Sequence, residues 1–553
     1  MDFKHNIIDA LKKGTKTEIS LEIPPDPRLG DFAFPCFSLA KEMKKNPVQI
    51  AKELSSKLKI KGIEKIQATG PYVNFFVDKN AFALDILKKI QKEKDSYGKV
   101  KLSKQKVMVE FSSPNTHKAF HVGHIRGTSL GESVSRIMEY CGDKVIRANY
   151  MGDTGMHVAK WIWCYRKYHS KEKVRKDESW IASIYVDAVK RLANDDNLQL
   201  EVDEINRKLD SREDKELNKF WEETRRLSLE SLDVIYKELN TRFDEYFFES
   251  QLEKRAKEVA DELVNKSIAD RSDGAVIINM EQYGLGVWVL LRADGTVLYS
   301  AKDLALAEKK FKEHKIDKAV YVVGSAQRLH IMQIFKTLEL MKFKQAKNCH
   351  YVPINEVRLP TGKMSSRTGE NILYSEFKKE LVEYASEKIL ERDKKINKKE
   401  LEKRALAIAI ASLKFSMLKQ DTNKGIVFNK EEALRFEGDT GPYLLYSYAR
   451  AKSILRKGKN KKLDVEEIEP IEKELITELS RFPDAVVQAY MNYAPNEIAN
   501  YANKLSHKFN EFYHANQVIG SDKEQFRLVL VDCFSQVLKN CLYLLGIPVI
   551  EEM

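Results

Sequence analysis

The chain has 553 residues, too many for one core, and at roughly 100 to 200 residues per domain three or four units are expected. Hydrophobic residues make up 43% and aromatics 10%, enough for packed cores, while no stretch approaches the roughly 20 apolar residues of a membrane span; a helical membrane protein is excluded. Lys and Arg outnumber Asp and Glu by 94 to 82, a formal charge of +12, which favours a polyanionic partner such as nucleic acid but equally describes a well-solvated surface carrying both signs.

The N-terminus, Met1-Asp2-Phe3-Lys4-His5-Asn6, is polar and has no apolar segment or small-residue cleavage site, so a cytoplasmic protein is expected. Six cysteines, Cys36, Cys141, Cys164, Cys349, Cys533 and Cys541, are scattered without a C-x-x-C pair. Neither a zinc site nor any other metal site nor a disulfide framework is therefore expected, and the thiols read as reduced.

About the first hundred residues read as a small α/β unit. Asn46-Pro47-Val48-Gln49 marks a helix start, Asn as cap and Pro in the first turn, with Ile50, Leu54 and Leu58 on one apolar face. The turn pair Gly70-Pro71 precedes a strand at Tyr72 to Val77, and Lys99 to Lys106 reads as a linker. A strand at Lys106 to Phe111 leads through Ser112-Ser113-Pro114-Asn115 and a His/Gly loop into a helix ending near Cys141-Gly142, and a second strand follows at Lys144 to Tyr150. Strand, loop, helix, strand predicts a parallel nucleotide-binding sheet of the Rossmann type. Residues from about Lys160 to Arg226 are highly charged and helical in pattern, an insertion before sheet signals return at Ala275 to Ile278, Val287 to Leu291 and Ala319 to Val323. From Glu376 the pattern is helical to the end, with a Lys-rich break at Arg456 to Leu463 and a helical bundle from about Phe436. The expected fold class is thus multidomain α/β plus all-α: a small α/β unit at 1–104, a Rossmann-type parallel-sheet unit at 105–375 with its insertion at 160–226, a helical region at 376–435 and a helical bundle at 436–553.

His121-Val122-Gly123-His124 follows a strand and opens a helix, so backbone N–H groups and the positive helix end face an anion, two imidazoles add donors, and Gly123 allows close approach. That context suits a nucleoside triphosphate, although four residues of this kind also occur as two histidines near an ordinary turn. Gly362-Lys363-Met364-Ser365-Ser366-Arg367-Thr368-Gly369 supplies a second element: glycines flank one ammonium and hydroxyls able to follow developing negative charge. Alone it could be a basic surface loop; together, at opposite ends of one α/β pattern, the two elements point to ATP chemistry, with His121, His124 and Lys363 as catalytic candidates and Gly123, Met364, Ser365 and Ser366 beside them at the ATP.

These elements resemble the two signature motifs of class I aminoacyl-tRNA synthetases. Glu110 to Asn115 leading into His121, Val145 to Asp153, Tyr321-Val322-Val323-Gly324 with Gln327 and His330, and Thr440-Gly441-Pro442-Tyr443 through Arg450 are similar to the arginyl-tRNA synthetase family along nearly the whole chain. The resemblance implies L-arginine, ATP and tRNA-Arg as substrates, magnesium accompanying the ATP, and a monomer with no membrane association. It assigns Ser113, Asn115, Glu249, Tyr299, Asp303 and Gln327 to arginine, whose planar, permanently charged fork needs carboxylates with an amide or phenol placed to match it. It also makes residues 1–104 the domain that touches the tRNA elbow, through Tyr72 and Asn74, and 105–375 the catalytic domain. Residues 376–435 would then meet the stem and 436–553 the anticodon loop, with Tyr443, Tyr446, Arg450, Tyr513 and the terminal Met553 as contacts. It further implies that activation waits for bound tRNA. Three other readings stay open at this level: a class I synthetase for lysine, a small-molecule nucleotidyltransferase sharing H-x-G-H, and a non-catalytic RNA-binding relative, although both motifs are intact.

Overall fold

A computed structural model describes residues 3–13, 19–195, 197–358, 360, 373–458, 461–463 and 467–553, apart from the side chains of Pro27 and Arg392. The chain divides into two compact units, one of Met1–Tyr97, Ala451–Arg481 and His507–Val537, the other of Gly98–Arg450, Phe482–Ser506 and Leu538–Met553.

The first unit holds a three-stranded antiparallel sheet in which β1 (Phe32–Pro35) and β2 (Ile63–Thr69) flank β3 (Tyr72–Val77). Helix Pro47–Lys57 begins as its sequence predicts: Asn46 accepts from the Val48 N–H at 2.9 Å, Pro47 occupies the first turn, and Ile50 and Ala51 are buried. Ile50, Val73, Phe75 and Phe34 share one core with Ile7 and Leu39. Cys533 Sγ packs on the Leu87 carbonyl and Tyr97 donates to the Leu479 carbonyl at 3.0 Å, fastening the 451–481 and 507–537 segments to the helix Lys79–Glu93 and its end.

In the second unit, β4 (Lys106–Glu110), β5 (Lys144–Met151), β6 (Glu245–Phe248), β10 (Lys318–Gly324) and β11 (Cys349–Ile354) form a wholly parallel sheet in the order β11-β10-β4-β5-β6. Chain order one to five thus lies as three-two-one-four-five, the doubly wound arrangement, and its direction reverses between β4 and β10. A ligand crevice is expected outside the carboxyl ends of those two strands. The near-continuous burial of β4 and β10 fits a sheet covered on both faces.

Two predicted strands belong elsewhere. Ala275–Asn279 (β8) and Val287–Leu291 (β9) pair with Asp270–Ser272 (β7) in a separate antiparallel sheet rather than continuing the parallel one. The exposed and buried residues of β9 largely alternate, as in a sheet with one wet face. The charged insertion forms helices Glu178–Asn194, Leu198–Ser211 and Lys215–Glu238 around a core containing Trp161, Trp163, Trp180 and Trp221. Beyond residue 373 the described residues are almost entirely helical, and among the described residues no helix is long and apolar enough to cross a membrane.

Candidate active site

The loop after β4 carries three non-glycine residues in the left-handed region, Ser112 (φ 74°), Ser113 (φ 47°) and His117 (φ 60°). Such backbone costs about 1–3 kcal/mol per residue and persists only where its surroundings impose it, as they do here. The Ser113 N–H donates to Asn149 Oδ1 at 3.2 Å, Asn149 Nδ2 donates to the Tyr236 hydroxyl at 3.0 Å, and that hydroxyl shares a hydrogen bond with Ser112 Oγ at 3.1 Å. His117 is fully buried between Thr116 Oγ1 (3.0 Å) and Thr224 Oγ1 (2.9 Å). Asn115 rests against Gly152, where any β-carbon would collide with its Oδ1. Asp153, next in the chain and fully buried, receives Arg225 at 2.7 Å and both the N–H and the hydroxyl of Ser250, which locks the turn bearing Glu249 beside this loop.

A cavity of about 340 Å³ opens at the carboxyl ends of β4 and β10, lined by Ser113, Asn115, Glu249, Tyr299, Asp303 and Gln327 together with Glu110, Tyr150, Lys310, Tyr321 and His330. All six residues assigned to arginine by resemblance therefore meet in one place, at the predicted switch point. Tyr299 and Asp303 stand one turn apart at the start of helix Tyr299–His314, and Gln327 directly precedes helix Arg328–Leu340. Tyr299 is 58% exposed, at the mouth, and its ring meets the His330 ring edge-on at 4.6 Å. Sequence reading did not single out Glu110, Lys310, Tyr150 or Tyr321 as site residues; the one signal was a carboxylate closing an otherwise apolar strand.

Three lining carboxylates, Glu110, Glu249 and Asp303, face one lining ammonium, that of Lys310. Lys310 pairs with Glu110 at 2.5 Å, and Lys302 reaches Glu249 and Glu253 at 3.5 Å each. Burial pushes the Glu249 carboxyl up from its ordinary range against the pull of Lys302, and pushes Glu110 up against the pull of Lys310. Glu110 and Glu249 thus each have a lysine, whereas Asp303 has no lysine or arginine in ion-pair contact among the described residues. Asp303 Oδ2 holds His330 Nε2 at 2.6 Å and the Tyr150 hydroxyl faces the same carboxylate, while His330 Nδ1, Ser113 Oγ and the Tyr321 hydroxyl are buried without a protein partner. Three buried polar atoms without a protein partner in the lining of one cavity are costly unless water or a polar ligand meets them.

Farther along the loop from Asn115, helix Val122–Tyr140 opens with His121 as its cap. His121 Nδ1 accepts from the Gly123 N–H at 3.2 Å, His124 Nδ1 accepts from the His121 N–H at 3.2 Å, and the rings stack at 3.9 Å. Because both Nδ1 atoms accept, the hydrogen-bond network assigns the ring protons to Nε2. Burial, aided by Lys118, lowers His121 to about 4; burial, then His121 and Lys118, carries His124 well below its usual value. Both rings are neutral donors at a helix N-terminus, a setting for an anion. Lys363, Met364, Ser365 and Ser366 lie outside the described residues.

The remaining candidates are spread over both units. Tyr72 is half-buried against the exposed Phe37, with ring centroids 5.9 Å apart, while Asn74 is buried and donates to Thr69 Oγ1 at 3.2 Å. On helix Gly441–Lys457, Tyr443 is buried, and Arg450 lies over the Tyr446 ring at 4.6 Å while donating to its hydroxyl at 2.8 Å. Tyr513 is 37% exposed and Met553 half-buried.

Residues 86–430 match the family described as tRNA synthetases class I (R), catalytic domain; residues 444–553 match the DALR anticodon binding domain; and residues 1–77 match the arginyl tRNA synthetase N terminal domain. The arginine–tRNA ligases of Clostridium perfringens and Clostridium acetobutylicum are each 37% identical to this chain, with all of both chains covered. Among solved structures, the arginyl-tRNA synthetase of Thermus thermophilus superposes with a TM-score of 0.81 at 28% identity, covering 99% of each chain. That of Plasmodium falciparum, at 21% identity and a TM-score of 0.77 over 100% of this chain and 98% of its own, shares the fold. Because the catalytic match alone takes in more than half of the residues and the clostridial relatives align from end to end, the chain belongs to the arginyl-tRNA synthetase family.

Proposed function

We propose that the chain is an arginine–tRNA ligase, which activates L-arginine with ATP and transfers it to the 3′-terminal adenosine of tRNA-Arg, releasing pyrophosphate and AMP. The observation that carries this reading is the carboxylate-rich cavity at the switch point of the parallel sheet, with buried polar atoms that have no protein partner. A guanidinium offers five donors in a planar fork, so Glu249, Asp303 and the Tyr299 and Gln327 groups can meet arginine in a way that a lysine ammonium cannot. Ser113 and Asn115 hold the amino-acid end, on the loop that leads to His121 and His124.

In the first step an oxygen of the arginine carboxylate bonds to the α-phosphorus of ATP as the bond to pyrophosphate breaks, so positioning and charge stabilisation do the catalysis. The neutral Nε2–H groups of His121 and His124 and the positive helix end, with Gly123 beside them, hold phosphate oxygens, and Lys363 with Met364, Ser365 and Ser366 meets the leaving pyrophosphate. Magnesium enters with the triphosphate, as part of that substrate. In the second step a ribose hydroxyl of the tRNA attacks the adenylate carbonyl and AMP leaves.

On the same reading, residues 1–104 hold the tRNA elbow through Tyr72 and Asn74, 105–375 form the catalytic domain, and 376–435 meet the stem. Residues 436–553 then reach the anticodon loop through Tyr443, Tyr446, Arg450, Tyr513 and Met553. The half-exposed ring of Tyr72, the exposed Tyr513 and the Arg450–Tyr446 stack supply surfaces on which unpaired bases stack. Six free, buried cysteines fit a reducing cytoplasm, in which the chain works as a monomer.

The test is ATP–pyrophosphate exchange with each of the twenty amino acids, with and without tRNA. Exchange with arginine alone, appearing only when tRNA is added, is expected. Exchange with arginine in the absence of tRNA would keep the substrate and remove the coupling; exchange with lysine would overturn the substrate assignment.

A further inference from the structure

The charged insertion contains a cluster that aminoacylation does not use. Helix Met156–Cys164 runs into Tyr165–His169, a turn wound with the wider π-type spacing that is rare in helices and concentrates at functional positions. This turn brings His169 to the same place as the Cys164 thiol, where Asp187 of helix Glu178–Asn194 meets them. Cys164 Sγ lies 3.4 Å and His169 Nε2 3.0 Å from the one oxygen Asp187 Oδ2, and the three donor atoms are all within 4.8 Å of one another.

We propose that Cys164, His169 and Asp187 form a binding site for one zinc-class divalent cation, with water as the fourth ligand. The donor set, one thiolate, one imidazole and one carboxylate, is the borderline-soft mixture that selects zinc over magnesium or calcium. The spacing fits as well. Zinc bonds of about 2.3 Å to sulfur and about 2.1 Å to nitrogen and oxygen, at tetrahedral angles, put sulfur about 3.6 Å and nitrogen about 3.4 Å from the carboxylate oxygen. The observed 3.4 and 3.0 Å need only a few tenths of an ångström of adjustment.

The surroundings orient these ligands as metal sites require. His169 Nδ1 lies 2.6 Å from Glu172 Oε1, and Glu172 Oε2 accepts from Trp180 Nε1 at 2.9 Å, so a carboxylate fixes the imidazole from behind and leaves Nε2 for the ion. Arg191 Nε holds Asp187 Oδ2 at 2.8 Å, aiming the carboxylate and balancing its charge. Cys164 is buried while His169 and Asp187 are half-exposed, which gives the ion a route from solvent. Bound there, it would fasten the end of helix Met156–Cys164 to helix Glu178–Asn194. Cysteine spacing alone could not reveal the site: Asp187 follows His169 by 18 residues and Cys164 by 23, with no C-x-x-C pair. The competing account is a metal-free cluster in which a protonated His169 bridges Glu172 and Asp187 and the Cys164 thiol donates to Asp187 Oδ2; the cobalt spectrum separates the two, because only the metal site makes a metal–thiolate bond.

The experiment is a cobalt titration of the full-length chain, reduced and stripped with chelator, followed by its absorption spectrum. One cobalt per chain is expected, with a thiolate-to-cobalt charge-transfer band that zinc abolishes by displacement. Cys164→Ser should lose the band, Cys349→Ser should keep it, and Glu172→Gln, which leaves all three ligands in place, should weaken binding about 10- to 100-fold. Zinc should raise the melting temperature of the unaltered chain and not that of Cys164→Ser. No stoichiometric cobalt, no charge-transfer band, or a band that survives Cys164→Ser would overturn the site. If Cys164→Ser does not fold, the Glu172→Gln affinity decides, and an unchanged value counts against the proposal.

Discussion

The carboxylate of Asp303 has His330 and the Tyr150 hydroxyl beside it but no lysine or arginine in ion-pair contact among the described residues, so an arginine guanidinium would complete it. A hydrogen bond to a charged group is worth about 1.5–3 kcal/mol. Asp303→Asn should therefore lower kcat/KM for arginine by about 10- to 100-fold through KM, with the KM for ATP unmoved, in exchange assays that vary each substrate. An unchanged arginine KM would remove Asp303 from the site. Gly152 tests the same cavity through shape alone, since its backbone is not in the left-handed region and only the new methyl group matters. That methyl would collide with Asn115 Oδ1 and sit 3.2 Å from Glu249 Oε1. Gly152→Ala should fold with near-normal stability, as judged by urea midpoint, yet raise the arginine KM; a variant with normal arginine kinetics would mean that Asn115 does not hold the amino acid.

At the scale of elements, helix Val122–Tyr140 does more than present two histidines. Its Glu132, fully buried, takes Arg136 Nε at 2.6 Å and Arg147 Nε of β5 at 2.9 Å, and Arg147 continues to Glu139 at 2.7 Å. The network fixes the helix on the sheet. Removing one charge strands the others in a low-dielectric interior, which costs about 3–5 kcal/mol, so Glu132→Gln should lower the urea midpoint by that amount of stability without changing the slope; a midpoint shift under about 1 kcal/mol would contradict the burial of this network. None of these partners could be read from the sequence, where Glu132 looks like one more charge in a helical stretch. What could be read was local: the cap at Asn46, the strand at Tyr72–Val77 and the turn into His121. What could not was the destination of each strand. Ala275–Asn279 and Val287–Leu291 were legible as strands but not as an antiparallel pair. The four residues of β6 are too few to show a period, and Pro353 disguised β11, which tolerates it because β11 is an edge strand. That Ser113, Asn115, Glu249, Tyr299, Asp303 and Gln327 belong together was suggested only by family resemblance, because they come from four separate stretches and each alone reads as surface or core.

For the whole molecule, four histidines between residues 117 and 157 make stability depend on acidity. Burial, with help from His157 and Arg225, lowers His117 to about 3; burial and Lys118 lower His157 to about 3; His121 stands at about 4, and His124 lies well below its ordinary value. In the unfolded chain each titrates near 6.5. Above that pH neither state binds these protons and the full stability is present. As pH falls below 6.5 the unfolded chain takes them up while the native chain does not, so stability declines by up to about 1.4 kcal/mol per pH unit per histidine until the native value is reached. Glu110, Glu178 and Glu249, raised by burial, pull the other way by taking up protons in the native state first. The net slope therefore mixes signs, and a difference between two chains isolates one group. His117→Gln keeps a hydrogen-bonding side chain between Thr116 and Thr224 but cannot titrate. Between about pH 7.5 and pH 5 the unaltered chain should lose about 2 kcal/mol more stability than this variant, measured from urea midpoints at the two pH values. Equal losses in the two chains would mean that His117 is protonated in the native state as readily as in the unfolded one, and that the histidine-rich loop after β4 is open to water rather than sealed beneath the insertion.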